Sequence, residues 1–129
     1  MPIVRIDTIA GQYGARQRAA MSDVLYEAVR GIGALEHDRF QIFTEHAAED
    51  LVFDRGYLGI RRSDGFVAIQ ITMNAGRSLA QKQGLFAAIA DGFQAQIGIR
   101  REDVFVSLIE VAKENWSFGN GIAQYAPEA

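Results

Sequence analysis

The segment from Gln70 to Gln81, QITMNAGRSLAQ, repeats in outline the segment from Arg5 to Arg16, RIDTIAGQYGAR. An offset of 65 residues brings Ile6 onto Ile71, Ala10 onto Ala75, Gly11 onto Gly76 and Ala15 onto Ala80. It continues ungapped through Ile32 and Gly33 (Ile97, Gly98), Asp38 (Asp103), Phe40 (Phe105) and Glu45 (Glu110). The hydrophobic pattern repeats with the identities. Met21, Val24, Leu25, Ala28 and Ile32 recur at the spacing of an amphipathic helix packed on a sheet. The same offset generates Phe86, Ile89, Ala90, Phe93 and Ile97.

Strand patterns flank each helix: IVRIDTI (3–9) and RFQIFTEH (39–46) in the first copy, FVAIQITM (66–73) and DVFVSLIEV (103–111) in the second. Ser78 is placed to cap the second helix, with Gln81 at the return position of a capping box. Gly33 and Gly98 are expected to take the left-handed position that closes each helix. A crossover of this length makes the strands of one unit parallel and right-handed in connection. The expected fold class is therefore α/β in the broad sense (α+β): a tandem βαβ-βαβ repeat forming a four-stranded mixed sheet with two helices on one face. Phe66 and Ala68 on one side of a strand, and Val67, Ile69 and Ile71 on the other, predict that the uncovered face is buried by another subunit. One domain spans 1–129, divided into repeat one (2–46), a linker (47–65), repeat two (66–112) and a tail (113–129).

Composition narrows the function classes. Of 129 residues, 49% are apolar, with 8 Phe, 4 Tyr and 1 Trp, enough for an ordered core without staples. The absence of cysteine excludes thiol nucleophiles, disulfides and thiolate metal sites. His37 and His46 stand nine positions apart, a spacing that suits no ligand pair, so no metal is expected. A net charge of −3 without a basic stripe gives no support to a nucleic-acid partner. No apolar run approaches the ~20 residues of a membrane span, and no basic leader precedes the first strand. A cytoplasmic protein with no membrane partner is expected.

Chemistry-bearing candidates are few. Pro2 heads the first strand, where a missing N–H costs nothing; with Met1 removed it also carries a free secondary amine. An α-amino group titrates at roughly 7.7–8.0, nearer neutrality than any lysine, and is readily tuned into a general base or acid. Asp38 either forms a turn through its own backbone, as its mate Asp103 would, or tunes a nearby cationic amine. Arg77 replaces Gln12 of the first copy; it is either solvated or holds a carboxylate through parallel N–H···O bonds. Trp116, Phe118 and Tyr125 in the unrepeated tail read as a hydrophobic plug or as a pocket wall. Tyr57, Arg61 and Arg62 read as a solvated loop.

The N-terminal Met-Pro and its strand, the doubled βαβ unit, the Asp38-Arg39-Phe40 turn, the NAGRS…QK loop at 74–82 and NWSFGNG at 115–121 together resemble the tautomerase superfamily. The branch they resemble most is that of malonate semialdehyde decarboxylase and its bacterial relatives. That resemblance implies a cofactor-free homotrimer acting on a small oxo acid. It further implies Pro2 as catalytic base or acid, Asp38 as the catalytic carboxylate that orders water or tunes the proline, Arg77 as the substrate-carboxylate ligand, and Trp116, Phe118 and Tyr125 as substrate-binding wall. Keto–enol tautomerisation is the expected reaction. The alternatives are decarboxylation of a 3-oxo acid, as by malonate semialdehyde decarboxylase, and a non-catalytic trimeric module that binds a ligand or partner. One departure stands out: the branch's loop resembles R-x-R-S, whereas here it reads Ala75-Gly76-Arg77-Ser78. One cation of two is missing, with Arg61 or Arg62 as reserves, which predicts weak decarboxylation.

Overall fold

The 65-residue period becomes a two-fold pseudo-symmetry in the computed structural model, which describes residues 2–126. Met1 and residues 127–129, counted in the domain by the sequence reading, lie outside the described residues. The first unit consists of β1 (Ile3–Ile9), α1 (Ala15–Arg30) and β2 (Gln41–His46); the second of β3 (Val67–Asn74), α2 (Leu79–Ile97) and β4 (Val104–Val111). The sheet runs β2-β1-β3-β4. β1 pairs parallel with β2 and β3 parallel with β4, while the two units join antiparallel at the centre, with Ile6 opposite Ile69. This is the mixed four-stranded sheet the repeat predicts.

Both helices lie on one face of the sheet and share a core. Val4, Ile6, Val67, Ile69, Ile71 and Met73 from the sheet meet Met21, Leu25, Leu85, Ile89 and Phe93 from the helices, each at most 1% exposed. The period-2 alternation of β3 and the 3.6 period of the helices produce this seam directly. The repeat is inexact at α2, where Leu85 takes the buried position and Phe86, expected in the core, is 39% exposed over the β4 side. The helix pair sets that rotation: Gly92 of α2 lies so close to Val24 of α1 that an added Cβ would stand 2.5 Å from Val24 Cγ1.

Helix ends also diverge. Ser78 and Gln81 form the expected reciprocal capping box on α2, and Gly98 closes it at φ +78°. The first copy differs, because α1 stops at Arg30. Gly31 keeps a right-handed conformation, and Gly33, at φ +108°, lies in the following loop rather than on the helix. With glycines at 31 and 33 the chain unwinds early, and Ala34 N–H closes the turn on Val29 O.

The other face of the sheet differs from the expectation. Its centre is polar, carrying Arg5, Asp7, Gln70 and Thr72, with His46 Nε2 2.6 Å from Asp7 Oδ1. Phe66, expected to add to an open apolar face, is only 4% exposed because Phe53 of the linker stacks on it at 4.1 Å. Among the strands, the exposed large apolar side chains are those of the two edges, Ile42, Phe105 and Ile109.

Candidate active site

A two-fold repeat creates two equivalent ends of the sheet, so chemistry specific to one end must lie where the copies differ. At the end where β1 finishes and β3 begins, the linker fills the available space. Asp103 Oδ1 accepts from Ser63 N–H at 2.7 Å, and Oδ2 accepts from Ser63 Oγ–H at 2.6 Å, with Arg100 Nη1 3.6 Å away. Tyr13 donates its phenol to Gly65 O at 2.5 Å. Burial first, and the Asp103 carboxylate second, push that phenol up to about 12, so it stays a neutral donor. Asp103 is thus a clamp on the linker, not the self-bonded turn former the sequence suggests.

The opposite end, where β3 finishes and β1 begins, holds no such plug among the described residues. A cavity of about 540 Å³ opens there between the loop after α1 (Gly33, Ala34, Leu35), the loop 74–77 after β3, Gln81 in the first turn of α2, and Lys113 and Tyr125 from the tail. Asp38, the pseudo-symmetry mate of Asp103, lines it and is 9% exposed. Its N–H donates to Leu35 O. Burial raises the Asp38 carboxyl above the usual carboxylate range, while the positive charges of the chain's amino terminus and of Arg77 pull it partly back.

Arg77 is fixed from behind. Its Nε donates to Ile32 O at 3.3 Å and its Nη1 to Asn74 O at 2.9 Å, so the guanidinium is held by both halves of the cavity wall before any ligand arrives. The positive end of the α2 dipole opens on the same space. Lys113 adds a second cation to the lining, one that the loop sequence alone does not reveal. Neither Arg61 nor Arg62 lines it: Arg62 Nη1 folds the linker by donating to the carbonyls of Asp54, Tyr57 and Ile60, and the Arg61 carbonyl accepts from Arg100. Tyr57 is likewise in the linker and 64% exposed.

The tail aromatics form a stack running away from the cavity. Tyr125 lines the opening and meets Phe118 edge-on at 4.9 Å, and Phe118 stacks on Trp116 at 5.6 Å. Trp116 does not line the space; its Nε1–H donates to Asn74 Oδ1 at 2.7 Å. Pro2 is buried and precedes Ile3, which pairs with Thr72, while Val4 N–H donates to Phe40 O. The register therefore sets Pro2 between the Asp38-Arg39 turn and the Met73-Asn74 end of β3, beside the lining and not in it.

The sequence reading does not reach Asn74 or Lys113, and it gives Gln81 only a helix-capping role. A usable signal existed for Asn74. Where the first copy closes its strand with Ile9, the second has a polar side chain that is 7% exposed, so the repeat breaks its own hydrophobic pattern at the cavity.

The fold agrees with what the chain is similar to. A family model described as "Tautomerase enzyme" matches residues 38–119. The probable tautomerase YusQ of Bacillus subtilis (strain 168) is 32% identical over 124 residues, covering 96% of this chain and 98% of that protein. The solved FG41 malonate semialdehyde decarboxylase inhibited by 3-bromopropiolate superposes with a TM-score of 0.87 at 39% identity, covering 95% of this chain and 93% of that one. A fused wild-type 4-OT symmetric trimer superposes with a TM-score of 0.77 at 25% identity, covering 98% and 99%.

Proposed function

Because this chain belongs to the tautomerase family, we propose that it is a cofactor-free enzyme that tautomerises a small 2-oxo acid by proton transfer at the Pro2 amine. The observation that carries this reading is the end of the sheet where Arg77 and Asp38 line one cavity beside the start of β1, while the equivalent end is clamped shut by Ser63 and Asp103. Arg77, already anchored, holds the substrate carboxylate with its remaining N–H donors. With Met1 removed, Pro2 presents a secondary amine next to the Asp38 carboxyl. That amine takes the proton from the enol oxygen side or the α-carbon and returns it to the other. Asp38 supports the protonated form of the amine, and the Trp116–Phe118–Tyr125 stack gives the cavity an apolar flank. We read the protein as a homotrimer, in keeping with the trimeric 4-OT relative. A single domain over 1–129 remains part of this reading.

Decarboxylation of a 3-oxo acid is the second reading. It is supported by the 39% identity to a malonate semialdehyde decarboxylase. Lys113 also weakens the argument from Ala75, because the cavity has two cations after all. The test is a side-by-side kcat/KM for ketonisation of an enolised 2-oxo acid, followed by ultraviolet absorbance, and for loss of CO2 from malonate semialdehyde, on protein whose intact mass lacks Met1. A faster decarboxylation selects the second reading. No turnover of either substrate by the processed protein leaves a binding module.

A further inference from the structure

The Asn74 side chain is held at the cavity in a single sense. An indole Nε1 can only donate, so the atom of Asn74 that meets Trp116 at 2.7 Å must be the carbonyl oxygen, and the amide NH2 must point the other way. Asn74 lines the cavity, and its NH2 has no hydrogen-bond partner among the described residues. Its backbone is fixed as well. Asn74 closes the β3 ladder opposite Val111, and its carbonyl anchors Arg77. The same residue therefore positions the carboxylate-binding cation with its main chain and presents a neutral donor with its side chain.

We infer that the Asn74 NH2 binds the 2-oxo oxygen of the substrate, and that Trp116 is a positioning residue that keeps this amide turned toward the cavity. The inference rests on the oxo-acid reading above and names the group that reads the carbonyl. A 2-oxo acid carries its carbonyl one bond from the carboxylate, and Asn74 stands three residues from the Arg77 that would hold that carboxylate. Proton removal at the α-carbon moves negative charge onto the carbonyl oxygen. A donor already oriented there stabilises that charge without transferring its own proton, and a fixed dipole is worth more in a partly dry site than in water. Trp116, which the family resemblance implies as part of the substrate-binding wall, acts instead one residue back from the substrate.

Calorimetric binding of 2-oxobutanoate and of butanoate, which lacks only the oxo group, tests this in wild type, Asn74→Ala, Trp116→Phe, the double variant and Arg77→Ala. Wild type should prefer the oxo acid by roughly tenfold. Asn74→Ala should bring the ratio close to one while butanoate binds within about threefold of wild type, and it should lower kcat by roughly 10²-fold. Trp116→Phe keeps the ring stack but frees the amide to turn, so it should lose part of the preference, and the double variant should be no worse than Asn74→Ala. A ratio retained in Asn74→Ala, a wild type without preference, or equal loss of both acids in Asn74→Ala overturns the inference. Should Asn74→Ala fail to fold, Trp116→Phe decides alone: an unchanged ratio there overturns it. Loss of both acids in Arg77→Ala upholds the carboxylate site independently. A wild type that binds neither acid removes the oxo-acid reading and this inference together.

Discussion

Asp38 and Arg77 share a cavity, and the charge of Arg77 acts on the Asp38 carboxyl. The Asp38 carboxyl is raised above its usual range by burial and partly restored by the amino terminus and Arg77. An acid whose folded pKa is raised binds its proton more tightly in the native state. Its contribution to stability is present below the unfolded pKa and is lost as pH rises through the folded one. Asp38→Asn should therefore be more stable than wild type at pH 7 and not at pH 3, read as the difference in melting temperature, while activity falls. Arg77→Ala removes a charge that lowers Asp38, so the carboxylate limb of the pH–rate profile should move to higher pH and KM for the acid substrate should rise at least tenfold. An unmoved limb would separate the two residues. Pro2→Ala, which leaves a primary amine of different basicity and freedom, should cost about 10²–10⁴-fold in kcat if this amine is the general acid–base. At this scale the sequence is legible only in part. Asp38 and Asp103 occupy equivalent positions of the repeat, each two residues before a phenylalanine, and what makes one a linker clamp and the other a cavity wall is Ser63, forty residues from Asp103. No local pattern encodes that contact.

Secondary-structure elements were far more legible, because periodicity is a local property and was present twice. The four strands, the α2 capping box and the Gly98 terminus follow from side chains within a few positions of one another. The structure departs from the repeat where two elements meet. The offset places the α1 stripe on α2, but the close approach of Gly92 to Val24 rotates the helix so that Leu85 faces inward and Phe86 does not. Gly92 thus acts as a steric gate between the helices. Gly92→Ala should destabilise the protein by about 1–3 kcal/mol through overpacking, measured by urea denaturation. Val24→Ala, which removes the two methyl groups in the way, should restore part of that loss in the double variant. Additive losses would show that the two helices are not limited by this contact.

At the scale of the whole molecule the uncovered face of the sheet calls for a partner, though for a narrower reason than its sequence suggested. A uniformly apolar face was expected, yet the centre of the sheet carries Arg5, Asp7, Gln70 and Thr72, and the His46–Asp7 pair crosses from β2 to β1. What is left exposed is apolar surface on the two edge strands: Ile42 on β2, and Phe105 and Ile109 on β4. Edge strands with apolar outward side chains attract other chains unless they are covered. A closed ring in which the β4 edge of one copy meets the β2 edge of the next would cover both and enclose the polar centres, with their charges paired inside. Such a contact is heterologous, and it closes without free edges only at a fixed copy number, three in the trimeric relative. Light scattering of wild type should give a trimer at micromolar concentration. Ile42→Glu with Ile109→Glu places a charge on each side of that contact and none in the helix-facing core. The variant should keep its far-ultraviolet circular dichroism while its mass falls to that of a single chain. A wild type that is already monomeric, or a doubly substituted protein that remains trimeric, would place the subunit contact elsewhere on the molecule.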